Sequence, residues 1–327
     1  MALTEDSRDP IIDLIKSIGI LLVVLGHINS PFGKIIYSFH MPLFFIISGA
    51  FIIGQNSLRQ LHKDIVKLIV PTLVFFVIGY FVTFTKNLYL EREIENFYIA
   101  FQNLFYWTDS KLIKNYGFVL WFLPVLFWGK LITNSLIFKY SRYNNLIILS
   151  VIIILILIKK YFSIFIPLGI DIAIFVVPFL LLGYLTYGNR YTILNYKFYI
   201  LFISLFILYF LIEIYGIQWV DIGAREYDNY MVSILFAYLI FLILYLVCNV
   251  IFIINKIFRP LLFFGENTLL ILILHPYTNN IADKLTSIVN NEYRWLFTFL
   301  VSIILCLIFY SFYKNILQLS KGIKLSA

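Results

Sequence analysis

Tyr230 to Ile254 reads YMVSILFAYLIFLILYLVCNVIFII, without one Asp, Glu, Lys or Arg. A helix of that length, rising about 1.5 Å per residue, exceeds the roughly 20 residues that cross the hydrocarbon core of a bilayer. The run from Leu146 to Ile158, LIILSVIIILILI, repeats the pattern over a shorter stretch. Lipid offers no partner to a bare N–H or C=O, so such segments cross a membrane as helices whose backbone bonds are made internally. The whole chain follows these stretches. Of 327 residues, 62% are hydrophobic and 13% charged, with a mean hydropathy of +0.93. An ordinary soluble domain is about 45–50% apolar and about 25% charged. A soluble fold is excluded, and the reading is an all-α polytopic membrane protein, a bundle of about ten transmembrane helices.

The expected spans are 11–28, 36–54, 65–85, 118–137, 145–162, 168–187, 197–215, 231–254, 262–281 and 295–313. Without an internal repeat, a low-complexity tract or a second polar unit, residues 1–327 read as a single transmembrane domain with short tails. The tail Met1 to Pro10 leans acidic and lacks the basic stretch and cleavage site of a secretory signal, so the first helix is expected to stay in the mature protein. With that tail in the cytoplasm, the inner segments carry the larger share of Lys and Arg, among them Arg59, Lys63, Lys67, Arg190 and Lys197. The outer side then holds the two long connections, Lys86 to Gly117 and Gly216 to Asn229, where binding residues tend to sit. The net charge of +8 is scattered between apolar spans and forms no basic face, so membrane topology accounts for it and nucleic acid is not a partner. Cys248 and Cys306 lie inside apolar segments and read as buried hydrophobes rather than a disulfide.

Ionisable groups inside a span cost at least about 2.5–3.5 kcal/mol at its centre and are functional candidates by default. Lys16 and His27 share the first span. Eleven steps of about 100° bring them within about 20° of one helix face, roughly 16.5 Å apart in depth. Lys16 then lies in the inner half, where it could otherwise snorkel to the headgroups or pair with Asp13, and His27 lies near the outer end. His40 opens the second span and His275 falls late in the ninth, so three of the four histidines reach a similar outer depth from three helices, while His62 stays in an inner loop. Apolar surroundings favour the neutral imidazole, the form a general base needs. The chain has no Gly-x-Ser-x-Gly elbow, Walker loop, His-x-x-x-His or Cys-x-x-Cys, so hydrolase, ATPase and metal-site readings find no support. Asp171 and Glu213 stand near outer span ends, Glu266 just inside the ninth span, and most tryptophans fit an interfacial belt.

Arg8, Asp13 and Lys16, followed by ten residues and His27, resemble the Arg/Lys-x10-His signature of the membrane-bound acyltransferase-3 family. Phe39 to Gly49 (FHMPLFFIISG), Trp121-Phe122-Leu123, Phe179 to Leu185 and Gly265 to Pro276 (GENTLLILILHP) are similar to later landmarks of that family in the same order. The opening IDLIKSIGILLVVLGH looks most like the branch typified by fucose 4-O-acetylase. The resemblance implies a ten-helix core in the cytoplasmic membrane, acyl-coenzyme A (most simply acetyl-coenzyme A) as the donor from the cytoplasm, and a sugar hydroxyl of a surface or secreted glycan as the acceptor. The family's Arg-x-x-Arg motif before the third span is represented here by Asp64 and Lys67, with Lys63 the nearest replacement for the first arginine. Thr268 stands where a serine usually precedes the late histidine, and no esterase-like domain is expected after the bundle.

Together these readings assign His27, His40 and His275 to catalysis, Lys16, Lys63 and Lys67 to the coenzyme phosphates, and Asp13, Trp121, Thr268 and Glu213 to substrate contact, with no metal. His27 would deprotonate the acceptor while His40 or His275 positions the sugar or stabilises the oxyanion. Membrane lipids and other glycan-synthesis proteins are the further expected partners. A transporter of polysaccharide or lipid-linked sugar, or a non-catalytic component of a glycan-synthesis complex, are the other classes compatible with polar groups in a bundle. Consumption of a thioester separates them from an enzyme.

Overall fold

Asp9 starts the first helix, α1 (Pro10–Gly26): its Oδ1 accepts the Ile11 and Ile12 amides at 2.9 and 3.5 Å, and Pro10 follows where a missing N–H costs nothing. Its Oδ2 also accepts the Tyr187 hydroxyl at 3.0 Å, which ties the cap to a distant helix. The structure is a computed structural model that describes residues 9–54, 58–106, 116–140, 150, 153–154, 166–254, 256–289 and 292–323. After α1 come α2 (Gly33–Tyr37), α3 (His40–Gly49) and α4 (Leu58–Asp64). A π turn over Ile65–Ile69 then leads into α5 (Val70–Tyr89). Pro71 has no N–H for the carbonyl four residues back, which accounts for the loosened turn there. Next stand α6 (Phe97–Tyr106), a 3-10 turn over Tyr116–Trp121, α7 (Phe122–Tyr140), α8 (Ile170–Gly188), α9 (Arg190–Asn195) and α10 (Lys197–Tyr215). A hairpin of β1 (Val220–Asp221) and β2 (Glu226–Tyr227) precedes α11 (Tyr230–Ile254), α12 (Leu262–Glu266), α13 (Thr268–Leu285) and α14 (Arg294–Ile323).

Among the described residues, six helical stretches are long and apolar enough to cross a membrane: Leu58–Tyr89, Phe118–Lys139, Pro167–Gly188, Lys197–Tyr215, Tyr230–Phe252 and Arg294–Lys314. Phe258–Glu266 and Thr268–Leu285, bent by 84° at their break, make a seventh if they count as one span. The protein is thus a helical, multi-pass membrane protein, but the expected count of about ten is not reached among the described residues. The expected first span is a 17-residue helix, which rises about 25 Å and falls short of a core of about 30 Å. The second is the 10-residue α3, about 15 Å long, and α2 sits in front of it as a separate piece. The fifth, 145–162, lies almost wholly outside the described residues. Helix α6 and the hairpin, in the long connections 86–117 and 216–229, have no counterpart in the sequence reading.

The core sits around α1, which packs against α3, α11, α12 and α13. Helix α8 lies against both α3 and α7. By contrast α10 packs chiefly on α11 and presents Phe198, Phe202, Phe206 and Tyr209 outward, an apolar surface that requires lipid. Two glycines bring α3 and α8 together: a Cβ on Gly49 would strike the Leu180 carbonyl, and one on Gly183 the Ile46 carbonyl. Small residues are what let helix backbones approach this closely in a membrane. Cys248 and Cys306 are buried and free, as expected, and Cys306 Sγ lies 3.3 Å from the Thr278 hydroxyl.

Candidate active site

His27 lies at the end of α1, His40 at the first position of α3 and His275 within α13, and the three rings meet. The His27 ring centre is 5.0 Å from that of His275 and 6.3 Å from that of His40. Each ring is held by a different device. The Nδ1 of His40 bonds the Ile36 carbonyl at 2.9 Å, and the Nδ1 of His275 bonds the Leu272 carbonyl at 2.8 Å. The second bond has a cause in the sequence, because Pro276 lacks the N–H that would take the Leu272 carbonyl in a regular helix. A carbonyl only accepts, so Nδ1 carries the hydrogen in both rings and Nε2 of the neutral ring is a bare acceptor. The Nε2 of His275 is buried without a hydrogen-bond partner among the described residues, an arrangement that costs about 1–3 kcal/mol unless a donor arrives. His27 differs: its Nδ1 lies 3.2 Å from the Tyr37 hydroxyl, and either atom can be the donor.

A cavity of about 220 Å³ opens beside His27 and His40, with Tyr37, Phe118, Trp121 and Asp221 in its wall. The hairpin closes its outer side with Val220, Asp221 and Ile222. That hairpin is fastened at several points. Trp219 stacks on Tyr37 with ring centres 4.5 Å apart and planes at 6°, and the Trp219 amide donates to the Asp228 carboxylate at 2.7 Å. Asp221 Oδ1 accepts the Ala224 amide at 2.9 Å, which turns the chain at the tip. Arg225 takes φ 62°, a conformation that costs a side-chain residue roughly 1–2 kcal/mol, and from it makes a two-point bond to Asp171 of α8 at 2.7 and 3.2 Å. Burial raises the Tyr227 phenol above its ordinary value; Arg225 pulls it back, and Asp221 and Asp171 add to the rise. Arg225→Ala is expected to destabilise the protein by about 3–5 kcal/mol, because it leaves the Asp171 carboxylate buried without its counter-ion. Detergent-solution thermal unfolding measures it, and an unchanged midpoint would mean that the pair does not anchor the hairpin.

The remaining expected site residues lie elsewhere. Lys16 Nζ is 3.0 Å from Asp13 Oδ1 and 5.1 Å from the Phe51 ring centre, so the pairing with Asp13 is realised and Asp13 is not in the cavity wall. Thr268 donates to the Gly265 carbonyl at 2.7 Å across the break between α12 and α13 and is not part of the cavity wall. Glu213 is exposed near the end of α10 and is not part of the cavity wall. Of the four residues expected to contact substrate, Trp121 alone lines the cavity. Lys63 is half-buried on α4 and Lys67 exposed on the π turn, while Asp64 between them is paired with Lys130 of α7. Lys130 is a residue the sequence reading passed over, although a lone charge inside the expected span 118–137 was the signal for it. Tyr37 and Asp221 carried no such signal among many tyrosines and loop carboxylates.

The fold and cavity define a multi-pass helical membrane protein with a histidine-walled chamber near one end of its bundle. Residues 9–311 match the family described as "Acyltransferase domain", the acyltransferase-3 family, and the chain belongs to it. Over 85 residues it is 38% identical to nodulation protein NolL of Sinorhizobium fredii (strain NBRC 101917 / NGR234), a likeness covering 21% of this chain and 23% of that protein. The match therefore spans less than a quarter of that relative's length. No solved structure matches.

Proposed function

We propose that the protein is an O-acyltransferase of the fucose 4-O-acetylase-like branch. It moves an acyl group, acetyl in the simplest case, from acyl-coenzyme A to a sugar hydroxyl of a surface or secreted glycan. The observation that carries this reading is that His27 and His40 line one chamber, with the buried His275 ring centre 5.0 Å from that of His27, in a chain of acyltransferase family. In the base-competent form of His27, Nδ1–H donates to the Tyr37 oxygen and the Nε2 lone pair takes the acceptor's proton. The alkoxide oxygen attacks the thioester carbonyl, the C–S bond breaks as the C–O bond forms, and the proton passes from His27 to the departing thiolate. The products are an ester and free coenzyme A. Bare Nε2 atoms suit His40 and His275 for accepting a bond from a sugar hydroxyl, so positioning fits them better than oxyanion stabilisation.

Lys16, Lys63 and Lys67 supply positive charge for the coenzyme phosphates in this reading, and the extended pantetheine arm bridges the depth to His27. That arrangement has the amino terminus and the coenzyme on the cytoplasmic side of the cell membrane and the acceptor on the hairpin side. Mass spectrometry of surface and secreted glycans from cells with and without the gene tests the reading. An ester-sized mass difference is the expected result, and its size names the acyl group. Unchanged modification with less glycan outside the cell would move the case to transport or assembly.

Tyr37→Phe probes the tautomer assignment. Losing one hydrogen bond worth about 0.5–1.5 kcal/mol should lower kcat by up to about tenfold with KM nearly unchanged. Release of coenzyme thiol by purified protein measures it, and a variant as fast as the parent would remove Tyr37 from the mechanism.

A further inference from the structure

A second, smaller cavity of about 90 Å³ lies behind the first, with Leu104, Phe105, Val125 and Leu168 in a nearly all-apolar wall. Its one hydroxyl, that of Thr72, is spent on the Leu68 carbonyl at 2.7 Å. Trp121 lines both cavities. The indole is 8% exposed and held from several sides: Phe122 and Phe45 have ring centres 6.2 and 6.4 Å away, and Gly223 of the hairpin packs so close that a Cβ there would come within 2.7 Å of the ring. A buried indole between the histidine chamber and an apolar one is a partition.

We propose that Trp121 sets the length of the acyl group this protein transfers, closing the histidine chamber to all but short chains; this rests on the acyl transfer proposed above. The apolar cavity is where the methylenes of a longer acyl group run once the indole is cut back. On a scale where about 10–15 Å³ admits one water, 90 Å³ takes several heavy atoms of an alkyl chain. Its shared wall puts it next to where the thioester carbonyl must stand to meet His27. Each methylene buried there is worth about fourfold in favour of the longer donor.

The full chain, purified in detergent and supplied with glycan from cells lacking the gene, is assayed with acetyl-, butyryl- and hexanoyl-coenzyme A. The parent, Trp121→Phe, Trp121→Ala and the double variant Trp121→Ala with Val125→Phe are compared by thiol release and by the mass of the ester formed. The ratio of hexanoyl to acetyl transfer is expected to rise from parent to Phe to Ala, by about tenfold or more at Ala, and to fall back in the double variant. If Trp121→Ala does not fold, the Phe variant decides by the same ratio. A ratio unchanged in variants that still transfer acetyl overturns the proposal, as does a parent that uses hexanoyl and acetyl donors equally. A gain that Val125→Phe leaves intact overturns the apolar cavity as the chain's route. A parent that consumes no thioester from any donor overturns the proposed function itself, and this inference with it.

Discussion

His27→Ala is expected to lower acyl transfer by about 10²–10⁴-fold at unchanged protein yield, the range that a positioned general base contributes. The size follows from where the ring stands. It lines the cavity, bonds Tyr37 through Nδ1, and lies within 6.3 Å of both other histidine rings, so no neighbour is free to replace it. His40 and His275 have their Nδ1 atoms committed to the Ile36 and Leu272 carbonyls, which fixes their rings away from the position His27 occupies. Their alanine variants are expected to act more on KM than on kcat, as loss of a positioning contact does. The measurement is steady-state thiol release with acetyl-coenzyme A. If His27→Ala kept its rate, the base would have to be sought elsewhere in the chamber, with the Asp221 carboxylate in its wall the next candidate.

Gly183→Ala is expected to cost the fold about 3 kcal/mol or more, at or beyond the upper end for overpacking, because the added methyl meets backbone rather than a side chain that can turn aside. The Ile46 carbonyl it would strike belongs to α3, and α3 cannot retreat without carrying His40 with it. Folded yield after detergent extraction should fall several-fold, and the protein that remains should show weakened acyl transfer. Gly188→Ala on the same helix is the control, since nothing lies within 4 Å of a Cβ there. Equal yields for the two variants would mean that α3 and α8 can separate without loss. The crossing would then not be what places His40.

Hydropathy is local and survives without any knowledge of neighbours, so the lipid-crossing stretches from Tyr230 and from Lys197 were legible residue by residue. Depth was legible for the same reason: a helix advances a fixed distance per residue, which brought His27, His40 and His275 to one level before their contacts were known. Length was legible less well. Phe39 to Gly49 is apolar enough to belong to a span, yet α3 stops at ten residues, because apolar composition reports the solvent and not where hydrogen bonding ends. Glu213 and Thr268 are polar residues at plausible places along the chain. Their side chains face outward or cap a bend, and no local pattern distinguishes that from a site.

What the sequence by itself determined is the solvent, the helical class, the family and the level at which the histidines collect, all properties carried by short stretches or fixed spacings. Which faces meet was decided by tertiary structure alone. Asp171 reaches Arg225 across 54 residues to hold a hairpin over the chamber, the Tyr37 ring finds Trp219, and Gly49 and Gly183 let two backbones touch. Trp121 stands between two cavities with Phe45 on one helix and Gly223 of the hairpin both against its ring. Such contacts depend on the joint packing of elements far apart in the chain, and that packing leaves no periodic trace in any one of them.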